Sequence, residues 1–418
     1  MAGAVAAGPA SLATLVTAGA SGGYVYLWVV VLAAVAGGFA QYLSTRLGLR
    51  TDGGIVSLVD RRLGTTWKWV LVGDGVLAAG LAQLVIMKTL ADVSAAVTGI
   101  DAHVWGVAWA VTLAVGLAGG GYRLAEWGAK LLVSLVVLAF VASLIVVPVD
   151  VGNAAAGLVP TVPGGASGAL LVAGVLGGAV HVTLVTMQTY TVDAHGWTWR
   201  DERIALLDVS TSMLAAFGIF SLAVYLVAAS VLHTPDVNAA SLTATTAAQA
   251  LGPLAGPYAK WLFLLGLWGA AVSTLGGNTV APPFLVADAL DWGTDTADGR
   301  YRALLAATAL VSALGAFVGG AFFPLLVLVL AFGLIGTPFA IAVVLYLLND
   351  GGLVDATPHP AANAGGVALI AVTSVAAWSS ISGNLAGRWT TPLGLFVLAF
   401  AAVLAVATLG LVVEHARA

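Results

Sequence analysis

Apolar residues along this chain neither alternate nor form narrow one-sided stripes; they come in long runs. About twelve runs can be drawn, each near the roughly 20 residues a helix needs to cross a bilayer. Their approximate bounds are Ala2–Ala20, Tyr24–Leu43, Trp67–Asp92, Val104–Gly120, Ala129–Val149, Ala169–Val192, Val209–Leu232, Tyr258–Leu290, Tyr301–Gly319, Phe322–Leu348, Gly365–Ile381 and Pro392–Val413. The eleventh is the weakest, with Ser and Trp spread through TSVAAWSSISGN. The pattern predicts an all-α polytopic membrane protein.

Two runs are interrupted. The first contains Gly8-Pro9 almost at its start. The sixth reads GVLGGAVHVTLVTMQTY, with Gly177-Gly178 followed by His181 deep in apolar sequence. Unwound backbone is tolerated in a membrane only where it is buried in protein or lines a wet cavity. If the first ten runs form two five-helix halves, about 1–150 and 165–350, runs one and six correspond. Paired breaks of that kind point to an inverted-repeat transporter with its substrate near the midplane. The transporter core would then be 1–350, and 351–418 would add two helices. Gly336-Thr337-Pro338 interrupts run ten, and Pro282-Pro283 is expected to mark a kink or the end of run eight.

Composition agrees with the pattern. The chain has 418 residues, of which 60% are hydrophobic and only 8% charged, against roughly a quarter charged in soluble domains. The mean hydropathy is +1.03. The 52 glycines suit close helix approach in lipid. The absence of cysteine excludes disulfides and thiolate metal sites. A net charge of −4 implies neither an acidic nor a basic partner. There is no basic cluster for nucleic acid, and no hydrolase, redox or nucleotide motif, so no enzyme activity is expected. No removable signal sequence is expected, because no basic segment precedes Pro9.

Charge placement predicts orientation. If the runs alternate, Arg46, Arg50, Arg61, Arg62, Lys68, Arg123, Lys130, Arg200, Arg203, Arg300, Arg302 and Arg417 share one side. Lys260 and Arg388 fall on the other. The positive-inside rule makes the first side cytoplasmic, with both termini there and an even number of spans in the cell membrane. The acidic stretch DALDWGTDTADGRYR reads as a solvated loop on that side.

Few groups inside the runs carry chemistry. His181 is the sharpest candidate, since intramembrane ionisable residues are functional by default. Its imidazole suits Mn²⁺ or Fe²⁺ better than Mg²⁺; the plain alternative is a core histidine hydrogen-bonded at the break. Asp74 is expected to be solvated near the cytoplasmic end of run three. Lys88, about 21 Å further along a straight helix, is expected to snorkel to the outer interface, or else to stand as a fixed positive charge. Ser11, Thr14, Thr183, Gln188 and Asn278 offer neutral oxygen ligands or, more plainly, interhelical hydrogen bonds. His195 and Asp193 are too sparse for a metal cluster.

The stretch GPASLATLVTAGASGGYVYLW, with QYLSTRLG at Gln41–Gly48, resembles the first two helices of the Nramp family of divalent-metal transporters. QTYTVDAHGW and AAVSTLGGNTVAPPFLVADALDWG resemble stretches of its divergent members, the magnesium-transporting branch among them. The resemblance implies a LeuT-like 5+5 inverted repeat with discontinuous helices 1 and 6. It also shows departures. Gly8-Pro9-Ala10-Ser11 lies on the family's Asp-Pro-Gly-Asn motif, so Gly8 replaces a metal-binding carboxylate and Ser11 an amide ligand. His181 stands at a metal-binding Met. Thr183 and Gln188 replace two histidines tied to proton movement, and the acidic proton-path pair falls near Gly80 and Gln83.

The expectation is a transporter carrying a divalent cation of the Mn²⁺/Mg²⁺ type by alternating access, without obligatory proton coupling. The substrate would be held by Gly8, Ser11, His181 and Gln188, with Thr14, Gln83, Lys88, Thr183 and Asn278 lining or coupling. No cofactor is expected beyond the transported metal, and no partner beyond the bilayer; the sequence leaves the oligomeric state open. The alternatives are a transporter of a small organic or anionic solute, and a transport-incompetent relative.

Overall fold

The computed structural model describes residues 8–119, 122–292, 297–354, 357–386 and 389–417. The described residues are helical, with no strand among them. The main helices are α1 (Pro9–Gly22), α2 (Leu27–Arg50), α3 (Ile55–Leu63), α4 (Thr65–Thr98), α5 (Ala102–Gly119) and α6 (Tyr122–Val146). They continue as α7 (Gly165–Val180), α8 (Val182–Ala194), α9 (Glu202–Val209), α10 (Gly218–Val231), α11 (Ala259–Ala289) and α12 (Gly299–Val311). The last four are α13 (Phe322–Gly333), α14 (Thr337–Asn349), α15 (Pro360–Asn384) and α16 (Pro392–Arg417).

All twelve apolar runs meet helices. Nine helical stretches among the described residues are long and apolar enough to span a bilayer. Runs one, four and nine are shorter. Run one is seen only as α1, 14 residues from Pro9, since residues 1–7 lie outside the described residues. Run four is α5, and run nine is α12 with a 3₁₀ extension to Phe317. Arg388 and the side chains of Arg123 and Arg417, used in the charge argument, also lie outside the described residues.

Burial sorts the helices into centre and periphery. The most apolar windows of Gly165–Ala194 and Phe322–Asn349 are each 89% buried. Those of Trp127–Val146 and Pro392–Glu414 are 28% and 22% buried, so much of their apolar surface faces outward, as hydrocarbon requires. Thus α7 and α13 sit at the centre, with α1, α2, α13 and α15 packed around α7. The long helices α4 and α11 pack on each other, and α11 also packs on α6.

Two expectations change. Gly177-Gly178 do not unwind run six: α7 continues through them to Val180, and the break falls on His181 alone, at φ −54° and ψ 138°. The glycines serve close packing instead, because a Cβ at Gly177 would overlap the Leu330 carbonyl. Pro282-Pro283 do not end run eight; α11 passes through both, buried, to Ala289. Each proline frees a carbonyl four residues earlier, which buried surroundings in a membrane protein can re-satisfy.

Candidate functional site at the interrupted helices

Three helix ends meet at the centre. Pro9, with its fixed φ and missing N–H, starts α1, and Gly8 is its extended N-cap. His181 separates α7 from α8, and residues 334–336 separate α13 from α14. A helix end leaves backbone groups without intrahelical partners, and here the ends supply each other. The Thr337 hydroxyl donates to the Val180 carbonyl at 2.6 Å, joining the break in run ten to that in run six. Helix α1 approaches α7 through Gly174 and Gly178: a Cβ there would stand 3.1 Å from Thr14 Cγ2 and 2.8 Å from Ser11 Oγ. Glycines four apart let membrane helices come this close.

His181 is 6% exposed. Its Nδ1 caps α8, accepting from the Thr183 backbone N–H at 3.3 Å, and lies 2.8 Å from the Thr183 hydroxyl. While Nδ1 accepts, the neutral ring carries its proton on Nε2. When Nδ1–H donates to the Thr183 hydroxyl instead, the Nε2 lone pair is exposed for a metal. Thr183 therefore acts on the tautomer of His181. Nε2 is buried without a hydrogen-bond partner. It faces Gly333, where a Cβ would overlap the ring.

Asp74 is not solvated, contrary to the sequence expectation. It is 2% exposed, and Oδ2 has no hydrogen-bond partner. Its carboxylate lies over Gly336, in the space a side chain there would fill. Helix α4 packs against α13, and Asp74 is buried at Gly336, just beyond the end of α13. Lys88 does not snorkel freely either: it is 7% exposed and pairs with Asp92 at 3.0 Å, one turn along α4. It is a neutralised charge rather than a fixed positive one.

The other sequence candidates separate into groups. The Gly8 carbonyl accepts from Leu12 N–H at 3.1 Å, leaving one lone pair. Ser11 and Thr14 line a small cavity with Gly174, Phe217 and Ser221, with room for about one water molecule. Phe217 ends a π-helical segment, Ser210–Phe217, that leads into α10. Thr14 donates back to Ala10 O at 2.8 Å, and Ser221 Oγ is buried without a partner. Gln188 lies about two turns beyond the break and donates to Thr45 Oγ1 on α2 at 2.9 Å. Asn278 donates to Ala79 O at 2.8 Å and to Gln83 Oε1 at 3.1 Å, while the Gln83 amide bonds Thr279 Oγ1. That network ties α4 to α11. Ser11 and Thr14 thus face the cavity beside Gly174, while Thr183 sits against His181. Sequence reasoning missed the approach of Asp74 to Gly336 and of His181 to Gly333, although an acid within an apolar run and a Gly-x-x-Gly before Thr-Pro were legible signals.

At the basic end of the bundle, Tyr190 on α8 donates to Asp288 Oδ2 on α11 at 2.6 Å. The same oxygen accepts from Ser57 N–H on α3 at 3.3 Å, and Ile55 N–H donates to Thr189 Oγ1 at 3.2 Å. A side chain at Gly54 would overlap the Tyr190 ring. Three elements are thus locked together. Nearby, Arg46 and Arg50 approach Glu202 at 3.6 and 3.7 Å, and Arg62 approaches Asp350 at 3.3 Å. Among the described residues, no three His, Cys, Asp or Glu side chains cluster as a metal site.

Helices interrupted at their buried midpoints and packed break to break define a polytopic α-helical membrane protein of the LeuT-like fold. Solved structures agree. The manganese transporter of Eremococcus coleocola, in complex with an aromatic bis-isothiourea substituted compound, superposes with a TM-score of 0.73 at 14% identity, over 100% of this chain and 93% of that one. Mhp1, a nucleobase-cation-symport-1 family transporter in a closed conformation, gives 0.57 at 14% identity over 98% and 92%. At such identity the likeness speaks for the fold. Residues 1–385 match the family model described as "Natural resistance-associated macrophage protein-like". The chain belongs to the Nramp family. Its relatives include the Divalent metal cation transporter MntH of Mycobacterium leprae, 28% identical over 383 residues, 88% of this chain and 86% of that protein. MntH of Deinococcus radiodurans is 28% identical over 291 residues, spanning 66% of each chain. These relatives are named as transporters, not as enzymes.

Proposed function

We propose that this protein moves a divalent metal cation across the cell membrane by alternating access, with the cation held between α1 and the α7/α8 break. The observation that carries the reading is His181: a buried imidazole at a helix interruption whose Nε2 has no protein partner. The Gly8 carbonyl and the Ser11 hydroxyl are the oxygen ligands offered from α1. The relatives named above as divalent metal cation transporters support the substrate class, and the match to LeuT-fold structures supports the cycle.

The reading divides the chain as the sequence does, into a core of two inverted repeats within 1–350 and two further helices in 351–418, with both termini cytoplasmic. The lock between Tyr190, Asp288 and Ser57 then lies on the cytoplasmic side and must open for release. Uptake follows the ion gradient and the membrane potential without obligatory proton coupling, because Gly80 and Gln83 are neutral and Gln83 is bound to Thr279 and Asn278. An anionic solute is less well served, since Lys88 is already paired with Asp92.

The test is uptake of Mn²⁺ and Mg²⁺ into proteoliposomes, with and without a pH gradient, for wild type and His181→Ala. Mn²⁺ uptake that is lost in the variant, and unmoved by the pH gradient, is expected. Folded protein that carries neither ion overturns the reading.

A further inference from the structure

The motif at the start of α1 offers no carboxylate, and a divalent ion in a neutral, apolar cavity is costly. A carboxyl group that can supply negative charge to a bound cation is found elsewhere. Asp74 and His181 come from different helices, yet both end on one interruption. The Asp74 carboxylate lies over Gly336 and the His181 ring over Gly333, three residues apart at the two ends of the interruption. Asp74 Oδ2 and His181 Nε2 are both buried without hydrogen-bond partners.

Among the described residues, no charged side chain pairs with Asp74. Helices α1 and α13 carry no charged residue, and the titratable residue of α14, Tyr346, lies well along that helix from Gly336. On α4 itself, Lys68 is paired with Asp60 and Lys88 with Asp92. On α11, Asp288 is held by Tyr190, and Lys260 lies at the opposite end of the helix. On α5, His103 pairs with Asp101. On α3, Arg62 is drawn to Asp350 and Arg61 donates to the Asp52 carbonyl. On α8, Asp193 lies at the far end.

We propose that Asp74 is the anionic ligand of the transported cation, forming with His181 a second station on the interruption between α13 and α14. The inference rests on the divalent-metal reading above. His181 is shared, so a cation taken up between Gly8, Ser11 and His181 passes to Asp74 without leaving the imidazole. One imidazole nitrogen with one carboxylate favours Mn²⁺, Fe²⁺ or Co²⁺ over Mg²⁺. Gly333 and Gly336 are the residues whose missing side chains leave space for the two ligands.

The experiment is Mn²⁺ binding to the purified full-length protein, read from the electron paramagnetic resonance signal of free Mn²⁺, for wild type, Asp74→Asn and Gly336→Ala. Asn keeps the shape of Asp74 and removes its charge. Gly336→Ala keeps the charge and displaces the carboxylate, at a backbone conformation alanine adopts freely (φ −80°, ψ −16°). Each is expected to raise the Kd by about tenfold or more, the scale on which disturbed metal sites lose affinity. At saturating Co²⁺, the visible absorption band of wild type must also change in Asp74→Asn, which a merely structural role would not produce. Wild-type binding matched by both variants, or an unchanged Co²⁺ band, overturns the assignment and leaves the transport reading standing. Wild type that binds no Mn²⁺ and carries no divalent ion overturns both.

Discussion

Thr337 Oγ1 donates to the carbonyl of Val180 at 2.6 Å, and so one side chain closes the open end of α7 from the start of α14. The two most buried helix pairs of the fold are thereby coupled at their breaks. One hydrogen bond thus links the interruption of run six to that of run ten.

Thr337→Val keeps the shape of the side chain and removes the donor. The Val180 carbonyl is then buried without it, which costs about 1–3 kcal/mol. A lower melting temperature in detergent and slower metal uptake are expected, with Thr337→Ser close to wild type. A Thr337→Val protein as stable as wild type would show that the bond contributes little.

Gly333→Ala and Gly80→Ala make a matched pair. A Cβ at Gly333 would overlap the His181 ring, whereas one at Gly80 meets nothing within 4 Å. Gly333→Ala is expected to weaken Mn²⁺ uptake strongly. Gly80→Ala, within a helix, should leave uptake intact and stabilise by about 0.5–1 kcal/mol. Uptake assays and thermal melts on both variants check the contrast.

Tyr190→Phe removes the hydroxyl that Asp288 accepts from and should loosen the lock at the basic end. The chain has no cysteine, so a single introduced thiol reports cleanly. Val56 is fully buried beside the lock. Val56→Cys should react with maleimide several-fold faster in the Tyr190→Phe background. Equal rates would mean that the hydroxyl does not hold the elements closed.

Lys88 and Asp92 form a partly buried ion pair, with side chains 8% and 27% exposed. Asp92→Asn leaves the buried ammonium unpaired, at a cost on the order of 2 kcal/mol once partial exposure is allowed for. Lys88→Met with Asp92→Asn should recover most of that loss. Melting temperatures of the single and double variants decide whether the pair stabilises the fold or merely neutralises itself.

Asp60, on α3 outside the spans, is held below its usual 3.8 chiefly by the hydrogen bond from Lys68, at 2.7 Å. Because the folded-state value is depressed, its contribution is present above the unfolded value and is lost as pH falls through the folded one. The acid-side loss of stability below about pH 4 should therefore be slightly shallower in Asp60→Asn, by less than about 1 kcal/mol for so exposed a pair. Melting temperature against pH for the two proteins is the check.

Much of the architecture was legible in the chain. Run length and apolarity gave the helices, because a bilayer leaves a backbone little choice but to bond within itself. The helix start at Pro9 and the break near His181 were also visible, since proline and a lone polar residue are conspicuous in apolar sequence. The sequence resemblance led to the family.

What local pattern could not carry was proximity. The glycine pair at 177–178 looked like an unwinding signal and proved to be a packing surface, a difference set by the Leu330 carbonyl on another helix. Lys88 looked free and found Asp92 on its own helix. Asp74 looked like a solvated end residue and is buried on Gly336, more than 250 residues away in sequence. The sequence by itself determined which segments are long and apolar helices and which hold a candidate interruption, because those depend on hydrophobic length and backbone chemistry. Which groups share a cavity was decided only by tertiary structure, because burial and partnership depend on how separate helices cross.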